Sequence, residues 1–404
     1  MDARLNNNTT YSLGQMIRTS DAAMLAQELM RMRSITLAVF EAYEAAGALD
    51  VPQTDEFNPP LWELGHVGWF QQWWIGRNQQ RHLGIECDPT QARLPCPHFV
   101  GAQFGDDWYN SSAIAHAKRW HLPLLSAAAT RQYLNATLTQ TLECLSAAGS
   151  SDAELYFYRL VLLHEAMHLE AAVYMAQALE LPISMPSWMT DAPHLIASNT
   201  DYKRAREPFF IKKRAWRLGS EPQGFVFDNE LASQDIELPA YEIDAQPVSW
   251  AQYLTFVQSA SYPLPRYVRA SGNGFESIRF GVWLPLDMSA SAVHISWHEA
   301  QAYCLWADRR LPTEAQWECA AFTLPSMAWG DVWEWTESDF LPYEGFTAHP
   351  YRDYSEPWFG SRKVLKGACA ATLPIMRHAK YRNYFMPDRT DIYAGFRTCA
   401  LASH

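Results

Sequence analysis

The chain has 404 residues, 48% of them hydrophobic, so it can bury a core in each of two ordinary domains and is not a disordered polymer. A formal net charge of -12 at pH 7 excludes the broad basic surface that a nucleic-acid partner would need. No apolar run is free of charges over the length of a membrane span, and the opening MDARLNNNTTYSLGQ has no apolar signal core, so a cytoplasmic protein without a membrane partner is expected.

From about residue 20 to 182 the pattern is helical. AAMLAQELMRMRSITLAVFEAYEAAG keeps apolar residues three and four apart and ends at Gly47. PPLWELGHVGWFQQWWIGRN opens on prolines and keeps the same spacing. AAATRQYLNATLTQTLECLSAAG and AELYFYRLVLLHEAMHLEAAVYMAQALE complete four long helices, which predicts a bundle. Residues 183–210 carry prolines and charges without periodicity and read as a crossing between domains. From 211 to 404 short β-prone pieces (AWRLGS, FVFDNE, AYEIDAQPVS, KVLKGACA, AGFRTCA) alternate with turns and two short helices, near 249–258 and 297–308. The expected architecture is therefore α followed by α+β, with domains at 1–182 and 211–404. Seven scattered cysteines form no CxxC pair, so neither a zinc ribbon nor a disulfide framework is indicated.

The chemistry concentrates in LLHEAMHLEAA. His164 and His168 are four apart, hence one turn apart on one helix face, and can chelate one metal ion. Imidazole suits Fe, Zn, Cu or Ni, and spacing does not choose among them. Glu170 is turned by about 200° and is expected to contact another helix or to orient a neighbour, not to bind the same metal. Two ligands are too few for a tight site. His66, on another apolar helix where an unpaired ring would be costly, is the best third ligand. Three histidines on one side of a cation leave positions open for substrate and O2. A pair of buried core histidines with ordinary partners is the plain alternative. HEAMH also matches HExxH with Glu165 as base, a peptidase pattern, but residues 172 and 174, where a third ligand could follow, are Ala and Tyr.

HxxxHxE (His164, His168, Glu170) with the upstream LWELGHVGWF resembles the DinB-like domain of the ergothioneine-biosynthesis sulfoxide synthases. RLGS, FVFDNE, PVSWAQYLTFV, HISWHEAQAYCLWADRRLPTEAQWECAA, VWEWTES, VLKGACA and AGFRTC resemble the formylglycine-generating, sulfatase-modifying-factor fold, a C-type-lectin-like domain. The resemblance covers roughly residues 20 to 402. It implies a DinB-like four-helix bundle joined to that second fold, with non-haem Fe(II) on His66, His164 and His168. It also implies O2-dependent attachment of a chalcogen donor to the imidazole of hercynine, trimethylated histidine. A fixed trimethylammonium charge prefers aromatic faces and polar oxygens. By resemblance Asn383 lies near that group and Tyr384 forms an aromatic wall, within YRNYF together with Arg382 and Phe385. The same resemblance implies that a tyrosine of the second domain acts as an acid near the iron. Tyr351 is the favoured candidate, with Tyr354 and Tyr343 beside it.

The pattern departs from the γ-glutamylcysteine enzymes of the family at three polar anchors. Ala113 and His116 stand where a carboxylate clamp of two arginines is expected, leaving Lys118 and Arg119 nearby. Phe385 replaces an acidic residue, and Met167 replaces a polar one. These changes favour the selenoneine-forming branch, which couples the same acceptor to a selenium sugar that could stack on GWFQQWW, residues 68–74, and on Trp108. Helix packing is the ordinary role of such rings. The competing expectations are a sulfoxide synthase using γ-glutamylcysteine or cysteine, and a non-catalytic metal- or ligand-binding module. A formylglycine-generating oxidase is disfavoured because Cys369 and Cys399 lack neighbouring cysteines in sequence.

Overall fold

The computed structural model describes residues 7–96, 104–182 and 207–401. Most of the expected crossing 183–210 lies outside them. The helical half runs α1 (Asn7–Arg18), α2 (Ala22–Ala45), α3 (Pro60–Gln71), α4 (Phe104–Tyr109), α5 (Ala127–Ser146) and α6 (Asp152–Ala178). Helices α2, α3, α5 and α6 form the expected bundle. Their starts are local: Asp21 accepts from the Met24 amide, Ser126 caps α5, and Ser151 with Glu154 makes a reciprocal capping box on α6. Every residue of α3 except Leu61 is buried, the mark of a helix at the centre of a packed layer. After Gln71 the chain widens into a π-turn, Gln72–Gly76, an arrangement that recurs near functional sites.

Helix α1 is the surprise. It belongs to the polar opening, yet it docks on the C-terminal half. Arg18 makes a two-pronged ion pair with Glu230, 2.8 Å on both arms, with both side chains buried. Gln15 Oε1 lies 2.9 Å from His378 Nε2. The approach is so close that a Cβ on Gly14 would sit 2.2 Å from the Arg377 carbonyl oxygen.

The second half contains strands β1 (Phe209–Ile211), β2 (Arg214–Leu218), β3 (Gln234–Leu238), β4 (Tyr241–Ile243), β5 (Val268–Ser271), β6 (Gly274–Arg279), β7 (Val282–Pro285), β8 (Arg309–Arg310), β9 (Trp333–Asp339), β10 (Lys363–Gly367), β11 (Asn383–Phe385), β12 (Ala394–Gly395) and β13 (Cys399–Ala400). They form sheets ordered β1-β4-β13-β8 and β11-β10-β9-β12, a β2-β3 hairpin and a β5-β6-β7 meander. Helices α7 (Trp250–Ser259) and α8 (Trp297–Trp306) fall where expected, and α9 (Glu314–Thr323) adds a third. FVFDNE is not a strand. Asp228–Glu230 is a 3-10 turn, because all three of its side chains are buried and Asp228 and Glu230 bond to distant partners, Ser355 and Arg18. The architecture is the expected helical domain followed by a mixed α+β domain with a lectin-like sheet arrangement. Among the described residues no helix is long and apolar enough to cross a membrane, and none of the seven cysteines forms a disulfide.

Candidate metal centre and its cleft

His66, His164 and His168 converge, with one ligand atom of each within 4.8 Å of the others. His66 comes from α3, and the other two stand one turn apart on α6. Each ring is aimed by its surroundings. His66 Nδ1 is 2.7 Å from the Tyr109 carbonyl, so it donates there and leaves Nε2 as the lone pair. Tyr109 can come this close because residue 65 is glycine: a Cβ there would lie 2.2 Å from the Tyr109 ring. His168 donates Nδ1–H to Glu63, a carboxylate on α3 one turn before His66. His164 stacks on Phe70 with ring centres 3.5 Å apart, and its Nε2 is 3.1 Å from His168 Nε2.

A metal ion fits this set. Two imidazole nitrogens about 2.1 Å from one cation and at right angles would be about 3.0 Å apart, which matches the His164–His168 separation. Burial, reinforced by His168, holds His66 down to about 3. His164 is held well below its ordinary value by burial and the two neighbouring rings. Both therefore remain the neutral imidazoles that bind metals. Burial alone would raise Glu63, but its contact with His168 outweighs that and holds it at about 2. Glu63 also accepts from Asn58, whose Oδ1 in turn accepts from Arg119 at 2.6 Å. A carboxylate behind a ligating imidazole fixes ring orientation and strengthens the ligand.

Glu165 takes no part. It is buried against Arg33 at 2.9 and 3.1 Å and accepts from Thr36 at 2.7 Å, which ties α6 to α2. A peptidase base would need to face the metal, so the HExxH reading is excluded.

The second half covers the cluster. Tyr351 sits with its ring 4.8 Å from Phe70 and 6.1 Å from His164. Its segment is held on the bundle by His349 Nδ1, 3.0 Å from Tyr156 Oη, and by Asp353, which accepts from Ser112. Between them opens a cavity of about 270 Å³ walled by Trp69, Trp73, Trp74 and Tyr351, with Asn110 and Asp353 as polar groups. Burial and the carboxylates of Asp353 and Glu63 raise the Tyr351 hydroxyl well above its ordinary value, so it is protonated.

The remaining candidates divide. Met167, beside His168, meets the Tyr381 hydroxyl at 3.4 Å, and Tyr354 donates to Tyr381 at 3.0 Å. The Tyr354 carbonyl accepts from Tyr384, whose ring stacks on Phe340 at 4.0 Å. Met167, Tyr354 and Tyr384 thus join one chain of contacts from the histidine helix to β11. Asn383 and Phe385 lie half-buried on that strand, Phe385 with its ring 6.5 Å from Tyr174 of α6. Arg382 is committed elsewhere: it is fully buried and binds Glu314 at 2.8 and 3.0 Å and two carbonyls, leaving no fork for a ligand. His116 lies on a 3-10 turn with Nε2 3.1 Å from the Phe57 carbonyl. Tyr343 is buried beside Glu314 and under the Arg382 guanidinium, in the structural core of the second half.

Sequence reasoning did not single out Glu63 or Trp333, and it reached Phe70 and Tyr381 only as members of the stretches 68–74 and 381–385. Trp333 Nε1 donates to Glu170 at 2.6 Å, so Glu170 does turn away from the histidines but reaches a strand of the second half and not the expected helix. A carboxylate three residues before His66 on the same helix was the one available signal.

The chain matches known family models in two parts. The DinB superfamily model matches residues 28–175, and the sulfatase-modifying factor enzyme 1-like domain matches 200–329 and 321–402. A hercynine oxygenase of Mycobacterium tuberculosis is 27% identical over 92% of this chain and 97% of its own length. One from Mycolicibacterium thermoresistibile is 26% identical over 93% and 94%. A formylglycine-generating enzyme of Thermomonospora curvata is 27% identical over 34% of this chain and 54% of its own. With half of its 404 residues matched across 200–402, the chain belongs to the sulfatase-modifying factor enzyme 1-like family, in a form that carries a DinB-superfamily bundle ahead of that domain.

Proposed function

We propose that this protein is a non-haem Fe(II), O2-dependent enzyme that joins the imidazole of hercynine to a selenium-bearing sugar, giving a selenoxide on the way to selenoneine. The observation that carries the reading is the convergence of three imidazoles beneath Tyr351, in a chain similar to hercynine oxygenases along nearly its whole length. Held by His66, His164 and His168, Fe(II) would supply the redox chemistry that lets O2 act on the two substrates. In the net reaction an imidazole C–H and an Se–H are lost and a C–Se bond forms. One oxygen atom of O2 ends on selenium and the other leaves as water.

The chain's own residues do the rest. Tyr351 is the proton donor, protonated and facing the histidine cluster. Phe70 and Trp74 fix its ring. Tyr381, Tyr354 and Trp333 offer aromatic faces to the trimethylammonium group, with Asn383 as a polar neighbour and Met167 below. Trp69, Trp73 and Trp74 form a stacking wall for a sugar ring, and Asn110 and Asp353 can bond its hydroxyls. Arg119, the nearest replacement for a carboxylate clamp, is tied to Asn58, Ser111 and Ile114. A cytoplasmic setting agrees with seven cysteines that form no disulfide among the described residues.

One observation favours the sulfur alternative. Arg352, exposed at the edge of the same cavity, could meet a substrate carboxylate. The deciding experiment is incubation with Fe(II), hercynine, O2 and either a selenosugar or γ-glutamylcysteine, followed by mass analysis and O2 uptake. Selenosugar product in excess is expected. Uptake indifferent to hercynine would overturn the whole reading, and preference for γ-glutamylcysteine would transfer it to the sulfoxide synthases.

A further inference from the structure

A second cavity, of about 120 Å³, lies where the end of α6 meets the β5-β6-β7 meander. It is apart from the metal centre: Gln177, which lines it, is nine residues beyond His168, about 14 Å along the helix. Gln177 is itself clamped to the meander, donating to the Ile278 carbonyl and accepting from the Phe280 amide, both at 2.9 Å. The walls are aromatic. The His294 ring stands 4.7 Å from Tyr267 and 4.6 Å from Tyr393, and Trp250 and Phe280 close the sides.

Two polar groups of this cavity lack partners among the described residues. The Tyr267 hydroxyl is one, on a side chain only 5% exposed, and Gln246 Oε1 is the other. A buried polar group without a partner costs stability, so such atoms mark where something else binds. The wall is also held in strained backbone: His294 and Phe280 have φ of 63° and 46°. Burial keeps His294 neutral, down to about 4, and the charged residues of the lining, Arg279, Asp287 and Asp331, carry both signs.

The geometry points to a second small-molecule site, for a neutral ligand with one planar ring bearing a hydrogen-bond donor and an acceptor, as in an aromatic carboxamide. The size, about 120 Å³, is of the order of the roughly 150 Å³ cavity that holds one benzene ring, so the pocket takes a single ring and no larger system. The ring lies among Tyr267, His294 and Tyr393, its donor meets Gln246 Oε1, and its acceptor takes the Tyr267 hydroxyl. Substrate turnover at the metal is not required for this binding.

Benzamide, which has no ring nitrogen to compete for metal, is the probe, and benzene is its apolar counterpart. Calorimetric titration of the full-length, metal-loaded protein should give saturable 1:1 binding of benzamide. Tyr267→Phe should weaken it about tenfold, the loss of one hydrogen bond, and Gln246→Leu should weaken it similarly. Ligand-free Tyr267→Phe should melt at or above the wild-type temperature, since it removes an unpartnered hydroxyl. A merely structural hydroxyl would give the opposite sign. No saturable binding, equal affinity for benzene, or undiminished binding in both variants would overturn the proposal.

Discussion

Glu63 and His168 meet across the bundle, the carboxylate of α3 taking the Nδ1 proton of the α6 imidazole. The same α3 turn carries His66, so one short helix supplies a ligand and also orients another. Replacing Glu63 with Gln should keep the fold while lowering Fe(II) affinity about 10- to 100-fold. Metal titration with a competing chelator reads this directly, and unchanged affinity would remove Glu63 from the site.

Tyr351→Phe should leave metal content intact and lower kcat by about 10²- to 10⁴-fold, the usual range for a lost general acid. The KM for hercynine should change little. A drop confined to KM would mean that Tyr351 packs the substrate and moves no proton.

Trp73→Ala and Arg352→Ala separate the two donors. With a stacking donor, Trp73→Ala should raise donor KM up to about tenfold and Arg352→Ala should do little. The reverse pattern in steady-state kinetics would identify a carboxylate-bearing donor.

The buried Arg18–Glu230 pair should be essential to the docking of α1. Arg18→Met leaves a buried carboxylate with the Ser220 hydroxyl but no paired cation, and should cost about 3–5 kcal/mol in denaturant unfolding. The double change Arg18→Met with Glu230→Met should recover much of that.

Burial raises Asp228 to about 6 even though Ser355 and the His349 amide bond to it. A carboxyl with a folded value above its unfolded one, near 3.9, stabilises most below about pH 4 and loses that contribution as pH rises through 6. The stability of wild type relative to Asp228→Asn should therefore rise by about 2 kcal/mol from pH 7 to pH 4. His349, held down to about 4 by burial, acts oppositely: its contribution is present above about 6.5 and fades toward pH 4. Urea titrations of both proteins across this range test the sign.

What the sequence disclosed follows from how local each signal is. The i, i+4 histidines announce themselves, and the imidazole of His66 stands out on an apolar helix. Glu63 does not, because its purpose depends on α6 lying opposite, a relation spanning 105 residues. The docking of α1 was invisible for the same reason, since Arg18 and Glu230 are 212 positions apart. Helix α9 was legible in principle: Thr313 and Gln316 form a capping box. The β5-β6-β7 meander has turn signals at Gly272 and Gly281 but little alternation in burial, which weakens a strand signature.

The π-turn at Gln72–Gly76 separates two duties along one helix. Before it stand His66 and Glu63 of the histidine cluster, and Trp73 and Trp74 within it join Trp69 in lining the outer chamber. Removing one residue there would restore ordinary winding and swing the indoles by about 100° while leaving His66 and Glu63 in register. Single-codon insertions or deletions could therefore reshape this chamber, and with it the choice of second substrate under the proposed function, without disturbing the three-histidine cluster.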